Sequence, residues 1–122
     1  MRPDLVRGNL DLLLLVIVGD GAGHGYAIID ELRRRSGGEL DLPEGTVYPA
    51  LHRLEKAGLL ASSWDESSGR RRRTYTLTHD GRSAAVEKRH EFGVVTAMVH
   101  KVIGDTYGYG GVRAGLTVPN PA

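Results

Sequence analysis

The chain lacks cysteine altogether, which excludes disulfide frameworks and cysteine-based zinc or redox sites. Its longest apolar stretch, from Leu10 to Val18, falls far short of the roughly 20 residues that a membrane-spanning helix needs. No small-residue cleavage site of a signal peptide accompanies that stretch. We therefore predict a soluble, cytoplasmic protein that does not associate with a membrane.

The chain has no strong overall charge, and its 122 residues suffice for a single domain with one modest core. The formal net charge of +1 conceals a local separation of charges. Arginines cluster at positions 33–35 and 70–73, whereas acidic residues surround the middle of the chain. We therefore expect a charged partner to bind at particular segments and not over the whole surface.

Three segments in the first half of the chain have apolar residues at helical spacing. The nearly all-apolar segment from Leu10 to Val18 predicts a helix buried on more than one side. A second helix is predicted from Tyr26 until the stop at Ser36. The third is predicted to begin near Glu44 or Gly45 and to end at a glycine stop.

The third predicted helix is amphipathic. Val47, Leu51 and Leu54 point one way, at spacings of four and three residues. The remaining faces carry polar and aromatic residues, namely Thr46, Tyr48, Pro49, His52, Arg53 and Lys56. A short helix with such an outer face is suited to reading a groove.

Two alternating segments, 60–65 and 73–77, predict a β-hairpin with its turn at 67–69. The alternation predicts that four side chains face the core, namely Leu60, Trp64, Tyr75 and Leu77. Four consecutive arginines, Arg70 to Arg73, fall at the tip of this hairpin. The chain thus combines an amphipathic helix with a cationic hairpin.

A last helix is predicted after Thr78, whose hydroxyl is a suitable N-cap. Apolar residues follow at intervals of seven, three, four and three, namely Ala85, Phe92, Val95, Val99 and Val102. This heptad-like stripe needs a partner helix, because the other helices already fill so small a core. From Gly104 the chain is rich in glycine and is predicted to be a flexible tail. The fold class is mainly α with a small β-hairpin.

Several motifs follow one another along the chain, namely Leu10 to Leu15, His24-Gly25-Tyr26, Gly45 to Glu55, Gly58-Leu59-Leu60, Gly69 to Arg72 and Tyr75 to Thr78. In this order they resemble the PadR family of transcriptional regulators. The resemblance covers roughly residues 5 to 82. It implies a winged helix-turn-helix DNA-binding domain at 1–78, a C-terminal dimerisation helix at 79–103 and a flexible tail at 104–122.

The resemblance further implies a homodimeric repressor that binds a near-palindromic operator in double-stranded DNA. Members of the family often release DNA when they bind a small, frequently aromatic effector. The dimer surface is predicted to comprise Leu10, Leu14, Ala85, Phe92, Val95, Val99 and Val102. The last helix carries no tryptophan of the kind that some small members use to hold planar ligands.

The candidate DNA contacts lie on the third helix and the hairpin tip. On the helix they are Thr46, Tyr48, His52 and Arg53, of which Arg53 could contact a guanine in bidentate fashion. On the hairpin they are Arg70, Arg71 and Arg72, which could hold phosphates without reading bases. The alternatives are that Tyr48 packs on the hairpin, that His52 is solvated, and that the arginines form a solvated loop.

Other kinds of site are not predicted. The five histidines fall in different elements without a short HxxxH pair, and the Glu87-x-x-His90 step lacks the further carboxylates of a helical metal site. No nucleophile motif or nucleotide fingerprint is present, so we predict no catalytic residue, metal or cofactor. The alternative function is a winged-helix module that binds a protein without specific DNA binding, although such a module has no need of four arginines.

Overall fold

A computed structural model of the chain describes residues 6–67 and 69–104. A short 3-10 turn at Arg7–Asn9 precedes helix α1 (Leu10–Gly19), α2 (Gly25–Arg35) and α3 (Glu44–Lys56). Strands β1 (Leu60–Asp65) and β2 (Arg72–Leu77) follow, and α4 spans His79–Ile103. The prediction of a mainly α fold with one hairpin is confirmed, as is the start of the third helix at Glu44. The predicted tail lies outside the described residues, apart from Gly104.

One hydrophobic core joins the first three helices to the hairpin. Helix α1 is at its centre because apolar residues cover most of its circumference, so it is buried on more than one side. The buried hydrophobic residues come from α1, α2, α3, both strands and the segment before α3: Leu10, Leu14, Leu15, Ile17, Val18, Ile28, Leu32, Leu42, Val47, Ala50, Leu51, Leu54, Leu60 and Tyr75. Their packing fixes the orientation of α3, whose opposite face is left outside.

The end of α2 carries ion pairs in addition to the buried Leu32. Arg34 and Arg35 both donate hydrogen bonds to the Glu31 carboxylate, and Arg35 also bonds Asp20 beyond the end of α1 at 2.8 Å. The hydrogen bonds from Arg34 and then Arg35 lower the pKa of Glu31 from 4.5 to about 2. Arg35 therefore has an intramolecular role in joining α2 to the end of α1, whereas Arg34 pairs within α2.

The hairpin is antiparallel, and its register pairs Leu60 with Leu77 and Trp64 with Arg73. Leu60 and Tyr75 are buried and Leu77 is partly buried, as the alternation predicts. Trp64 lies on the same face but is 52% exposed, so the prediction that it enters the core is wrong. The reason is that the core ends before this level of the hairpin, and an arginine rather than an apolar residue stands opposite the indole.

The segment before α2 is attached to β2. The backbone N–H of Tyr75 donates to the carbonyl of Gly23 at 2.9 Å, and an antiparallel bridge pairs His24 with Thr74. This contact places the beginning of α2 beside the hairpin. It brings elements that are 50 residues apart in the sequence into one surface.

The first turn of α4 is fixed to the end of α3. The Thr78 hydroxyl accepts a hydrogen bond from the N–H of Gly81 at 2.9 Å, so the predicted N-cap is confirmed. The same hydroxyl donates to the carbonyl of Gly58, whose φ of +81° ends the preceding helix. The chain divides into one compact unit that ends at Glu87 and a second that begins at Lys88.

Candidate nucleic-acid interface

The outer face of α3 carries the predicted contact residues. His52 and Arg53 are exposed, whereas Thr46 and Tyr48 are partly buried. Pro49 lies among them on the solvent side. Proline has no N–H, so one backbone carbonyl of the preceding helical turn lacks its partner, and water can hydrate that carbonyl here. A helix of this diameter fits the major groove of B-DNA, so its exposed side chains would lie at base edges.

Tyr48 packs on the first residue of α2. A Cβ atom added at Gly25 would stand 2.6 Å from the Cζ atom of the Tyr48 ring, so only glycine leaves room for the phenol there. Burial raises the pKa of the Tyr48 hydroxyl, and the charge of Glu44 raises it further. The hydroxyl therefore keeps its proton at neutral pH and can donate a hydrogen bond. Tyr48 thus contacts the beginning of α2.

Arg53 is already engaged within the chain. Its two terminal nitrogens donate to Oδ1 of Asp11 in α1 at 3.1 and 2.9 Å. The ion pair joins α3 to α1 at the surface, where about half of the arginine side chain stays exposed. A guanine contact from Arg53 would require this ion pair to open.

The loop between the strands has a defined turn. Oδ1 of Asp65 accepts a hydrogen bond from the N–H of Ser67 at 2.9 Å, and this bond lowers the pKa of the Asp65 carboxyl. The N–H of Gly69 donates to the carbonyl of Glu66 at 3.0 Å, and Gly69 has a φ of +83°. The left-handed conformation favours glycine here. Arg70 and Arg71 follow directly, and Arg72 begins the return strand.

Two of the hairpin arginines cover Trp64. The guanidinium of Arg71 lies 4.3 Å from the centre of the indole ring, and that of Arg73 lies 5.1 Å from it. Arg73 also donates to the hydroxyl of Ser62 at 2.9 Å and approaches Glu55 at 3.8 Å. Arg73 is thus the most strongly held of the four, in keeping with its exclusion from the candidate contacts.

A cavity of about 290 Å³ opens between the hairpin, the beginning of α2 and α3. We call it the arginine cavity, and it is lined by His24, Gly25, Tyr26, Tyr48, Arg70, Arg71, Arg72 and Arg73. The predicted residues Tyr48, Arg70, Arg71 and Arg72 therefore lie together. Thr46, His52 and Arg53 do not line it and lie elsewhere along α3.

Sequence reasoning missed two residues of this cavity, His24 and Tyr26. Nδ1 of His24 lies 3.2 Å from the hydroxyl of Thr74, and Nε2 lies 3.6 Å from Oδ2 of Asp65. Tyr26 is exposed, and its hydrogen bond with Glu44 raises the pKa of its phenol. The signal was present, because His24-Gly25-Tyr26 is one of the motifs of the family resemblance, but the motif alone did not indicate which surface it faces.

The family is decided by sequence. The profile of the Transcriptional regulator PadR-like family matches residues 13–87, which is more than half of the chain. The chain belongs to the PadR-like family. Its members are transcriptional regulators that bind DNA, not enzymes.

Individual relatives agree with this membership. Transcriptional regulator Rv3488 of Mycobacterium tuberculosis is 40% identical over 83 residues, which cover 68% of this chain and 75% of that protein. A PadR family transcriptional regulator from Eggerthella lenta has 32% identity and a TM-score of 0.73, covering 83% of this chain and 87% of that one. A transcriptional regulator from Clostridium thermocellum has 29% identity and a TM-score of 0.75, covering 83% and 96%.

The predicted dimer residues of this PadR-like protein fall into three groups. Phe92, Val95, Val99 and Val102 are exposed on α4, the last of them by 80%. Leu10 and Leu14 are only 6% and 0% exposed, because α1 is at the centre of the core of its own chain. They offer no surface to a partner, so we remove both from the dimer surface. Ala85 is partly buried against the core.

Two further features are absent from the described residues of the PadR-like chain. Across residues 6–67 and 69–104, no three histidines or acidic residues come together in a group able to hold a metal ion. Within the same residues, no helix combines the length and apolar character needed to cross a membrane.

Proposed function

We propose that the protein is a sequence-specific DNA-binding repressor that acts as a homodimer. The observation that carries the proposal is the position of the exposed face of α3 beside an arginine-bearing hairpin in one compact unit. A helix of this kind reads bases, and arginines on an adjacent wing hold the phosphate backbone.

Within this proposal the residues have separate tasks. Thr46 and His52 face the major groove, where their side chains contact base edges or the adjoining backbone. Arg53 reaches a guanine when it leaves Asp11. Arg70 and Arg71, both exposed at the wing, bind phosphates and make the affinity dependent on salt.

Dimerisation is proposed through α4. Its residues beyond Lys88 include seven large hydrophobic side chains that are exposed in the single chain, namely Phe92, Val94, Val95, Met98, Val99, Val102 and Ile103. Exposed apolar surface of this extent on one helix is typical of an interaction site. A second copy of the chain supplies the helix that the heptad-like spacing requires. Two recognition helices then favour a near-palindromic operator.

Release by a small, frequently aromatic effector remains a prediction from the family resemblance. A regulator of chromosomal genes works in the cytoplasm, which is the location predicted from the sequence.

The DNA-binding proposal is tested with fluorescently labelled upstream duplex titrated at several salt concentrations. The wild type should prefer this duplex to a scrambled one, and its affinity should fall steeply with salt because phosphate contacts release counterions. The Arg70→Ala/Arg71→Ala variant should reduce the slope of log affinity against log salt by about 2. Arg34→Ala is the matched control. It removes an exposed arginine of α2 that pairs with Glu31, and it should leave the slope unchanged.

Equal binding to operator and scrambled duplex would favour the alternative, a winged-helix module that binds a protein. The dimer is tested separately by sedimentation. Val95→Asp should shift the protein toward the monomer, whereas Val86→Asp, on a more exposed valine of the same helix outside the heptad-like stripe, should not. A wild type that sediments as a monomer at every concentration would contradict the homodimer.

A further inference from the structure

Trp64 lies on the hairpin beyond the end of the core. It pairs with Arg73 across the two strands, on the face that buries Leu60 and Tyr75 nearer to the other end of the hairpin. The indole is 52% exposed. A large aromatic side chain in such a position is suited to contacts that use its ring face. Its neighbours here are arginines instead of apolar residues.

Arg71 and Arg73 both lie over the indole, but they differ in their other contacts. Arg73 also donates to the Ser62 hydroxyl and approaches Glu55 of α3, so it keeps its place without the ring. Among the described residues, Arg71 has one ion pair, with Glu66 at 3.8 Å. The side chains of that pair are 62% and 72% exposed, and surface pairs of this kind contribute little. The indole, 4.3 Å from the guanidinium, is therefore the main contact that orders Arg71.

The indole can order the Arg71 side chain without neutralising its charge. An aromatic ring attracts a guanidinium through its negative face and supplies no carboxylate. Arg71 therefore keeps its positive charge, and most of its side chain stays exposed. Arg53 is the contrast, because the Asp11 carboxylate accepts hydrogen bonds from both of its terminal nitrogens. An arginine that is ordered and still uncompensated can bind a phosphate without a further loss of side-chain freedom.

We propose that Trp64 is a positioning residue that holds Arg71 in the geometry in which Arg71 binds a DNA phosphate. The inference rests on the proposed DNA binding and deepens it, and it assigns no DNA contact to Trp64 itself. When the ring is absent, the long side chain of Arg71 must be ordered during binding. Loss of the ring should therefore weaken duplex binding by about fivefold for each wing that contacts the duplex.

The test is a double-mutant cycle between Trp64 and Arg71. Affinity is measured for the tightest duplex that the wild type selects from a random library. Trp64→Ile removes the ring but keeps an apolar, β-branched side chain that suits a strand. It should weaken wild-type binding by about fivefold for each wing and should have no further effect when Arg71 is already alanine. In Arg70→Ala, where Arg71 still lies over the ring, Trp64→Ile should keep its full effect.

A conservative variant separates positioning from packing within the hairpin. Trp64→Phe retains an aromatic face, although a weaker one for a cation, and should recover most of the affinity that Trp64→Ile loses. Melting curves at one protein concentration establish that every variant is folded. If Trp64→Phe binds no better than Trp64→Ile at equal stability, the ring face does not order Arg71 and the proposal is wrong.

The contact is also testable without DNA and with the ring intact, because Trp64 is the one tryptophan of the chain. Arg71→Ala should make the indole fluorescence more sensitive to acrylamide, since removal of the guanidinium uncovers the ring. Acrylamide is uncharged, so the loss of a positive charge does not by itself change its access. Arg70→Ala removes the same charge one residue away and should leave the quenching unchanged. Equal quenching of the wild type and Arg71→Ala would overturn the proposal.

The outcomes distinguish this proposal from the DNA binding on which it rests. If the wild type selects no duplex, or if Arg71→Ala binds as tightly as the wild type, the phosphate contact and the positioning role both fail. If Arg71→Ala weakens binding but Trp64→Ile does not, DNA binding stands and the role of Trp64 is overturned. If Trp64→Ile weakens binding equally with and without Arg71, the ring itself contacts the duplex, which also overturns the positioning role.

Discussion

Replacement of Gly81 by alanine tests how α4 is joined to the winged domain. Alanine is normally preferred to glycine within a helix by up to about 1 kcal/mol. Gly81 is buried in the first turn of α4, and a Cβ atom there would stand 3.0 Å from the carbonyl carbon of Leu59 and closer still to its oxygen. It would also stand 3.2 Å from a methyl of Leu77. Gly81→Ala should therefore destabilise the protein, although helix propensity alone favours alanine at this position.

The magnitude follows from the contact. The obstacle is backbone, which cannot rotate away, so α4 must retreat by on the order of 1 Å. Such a shift strains the hydrogen bonds by which Thr78 joins α4 to Gly58. Overpacking of this kind costs about 1–3 kcal/mol, which exceeds the gain in helix propensity. For a domain of this size, the melting temperature should fall by roughly 10 °C.

The assay is urea and thermal unfolding followed by circular dichroism, at one fixed protein concentration because dimerisation would otherwise change the apparent stability. Gly45→Ala is the matched control, since Gly45 is also in the first turn of a helix but has no described atom within 4 Å of an added Cβ. It should be neutral or stabilising by up to about 1 kcal/mol. If Gly81→Ala is as stable as Gly45→Ala, α4 is not held against Leu59 in this way.

Three further substitutions have defined outcomes. The pKa of the Glu31 carboxyl is about 2 in the folded chain, and its ordinary value is 4.5. The unfolded chain therefore takes up the proton first as pH falls. The ion pairs of Glu31 therefore stabilise the fold fully above about pH 4.5, and this stabilisation is lost as pH falls from there to about 2. In Glu31→Gln, the urea midpoint should no longer show this decrease over the same pH range. Gly25→Ala should displace the Tyr48 ring and weaken duplex binding by on the order of tenfold in anisotropy titrations. Asp11→Asn should strengthen duplex binding, because Arg53 no longer has to leave an ion pair, while costing at most about 1 kcal/mol of stability in the same unfolding assay.

The elements of the fold could be predicted from the sequence because each has its own periodicity and stop signal. Apolar spacing and a glycine stop define α3, and alternation defines the hairpin. Thr78 could be recognised as a cap because capping depends on residues only three positions apart. Local patterns of this kind do not depend on the rest of the chain.

The errors arose where an outcome depends on contacts distant in the sequence. Trp64 has the expected face, but its burial depends on how far the core extends along the hairpin. Leu14 is apolar in a helix that has no polar side, and nothing in that pattern distinguishes a core position from a dimer surface. The ion pair of Arg53 joins residues 42 positions apart and has no local signature. The arginine cavity likewise needs the pairing of Gly23 with Tyr75 to bring α2 to the hairpin.

The role of each arginine in this chain cannot be assigned from its residue type alone. It depends on the partner that the arginine has within the fold. Arg35 and Arg53 each bond a carboxylate of another element, so their charge is largely compensated and they join helices. Arg73 bonds the Ser62 hydroxyl within the hairpin and lies 3.8 Å from the Glu55 carboxylate of α3. Arg70 has no such carboxylate among the described residues and is exposed at the wing, whereas the charge of Arg72 acts on the Asp65 carboxyl. An exposed guanidinium without a carboxylate partner remains available to an anion. The same reasoning assigns the wing, rather than the end of α2, to the phosphate backbone.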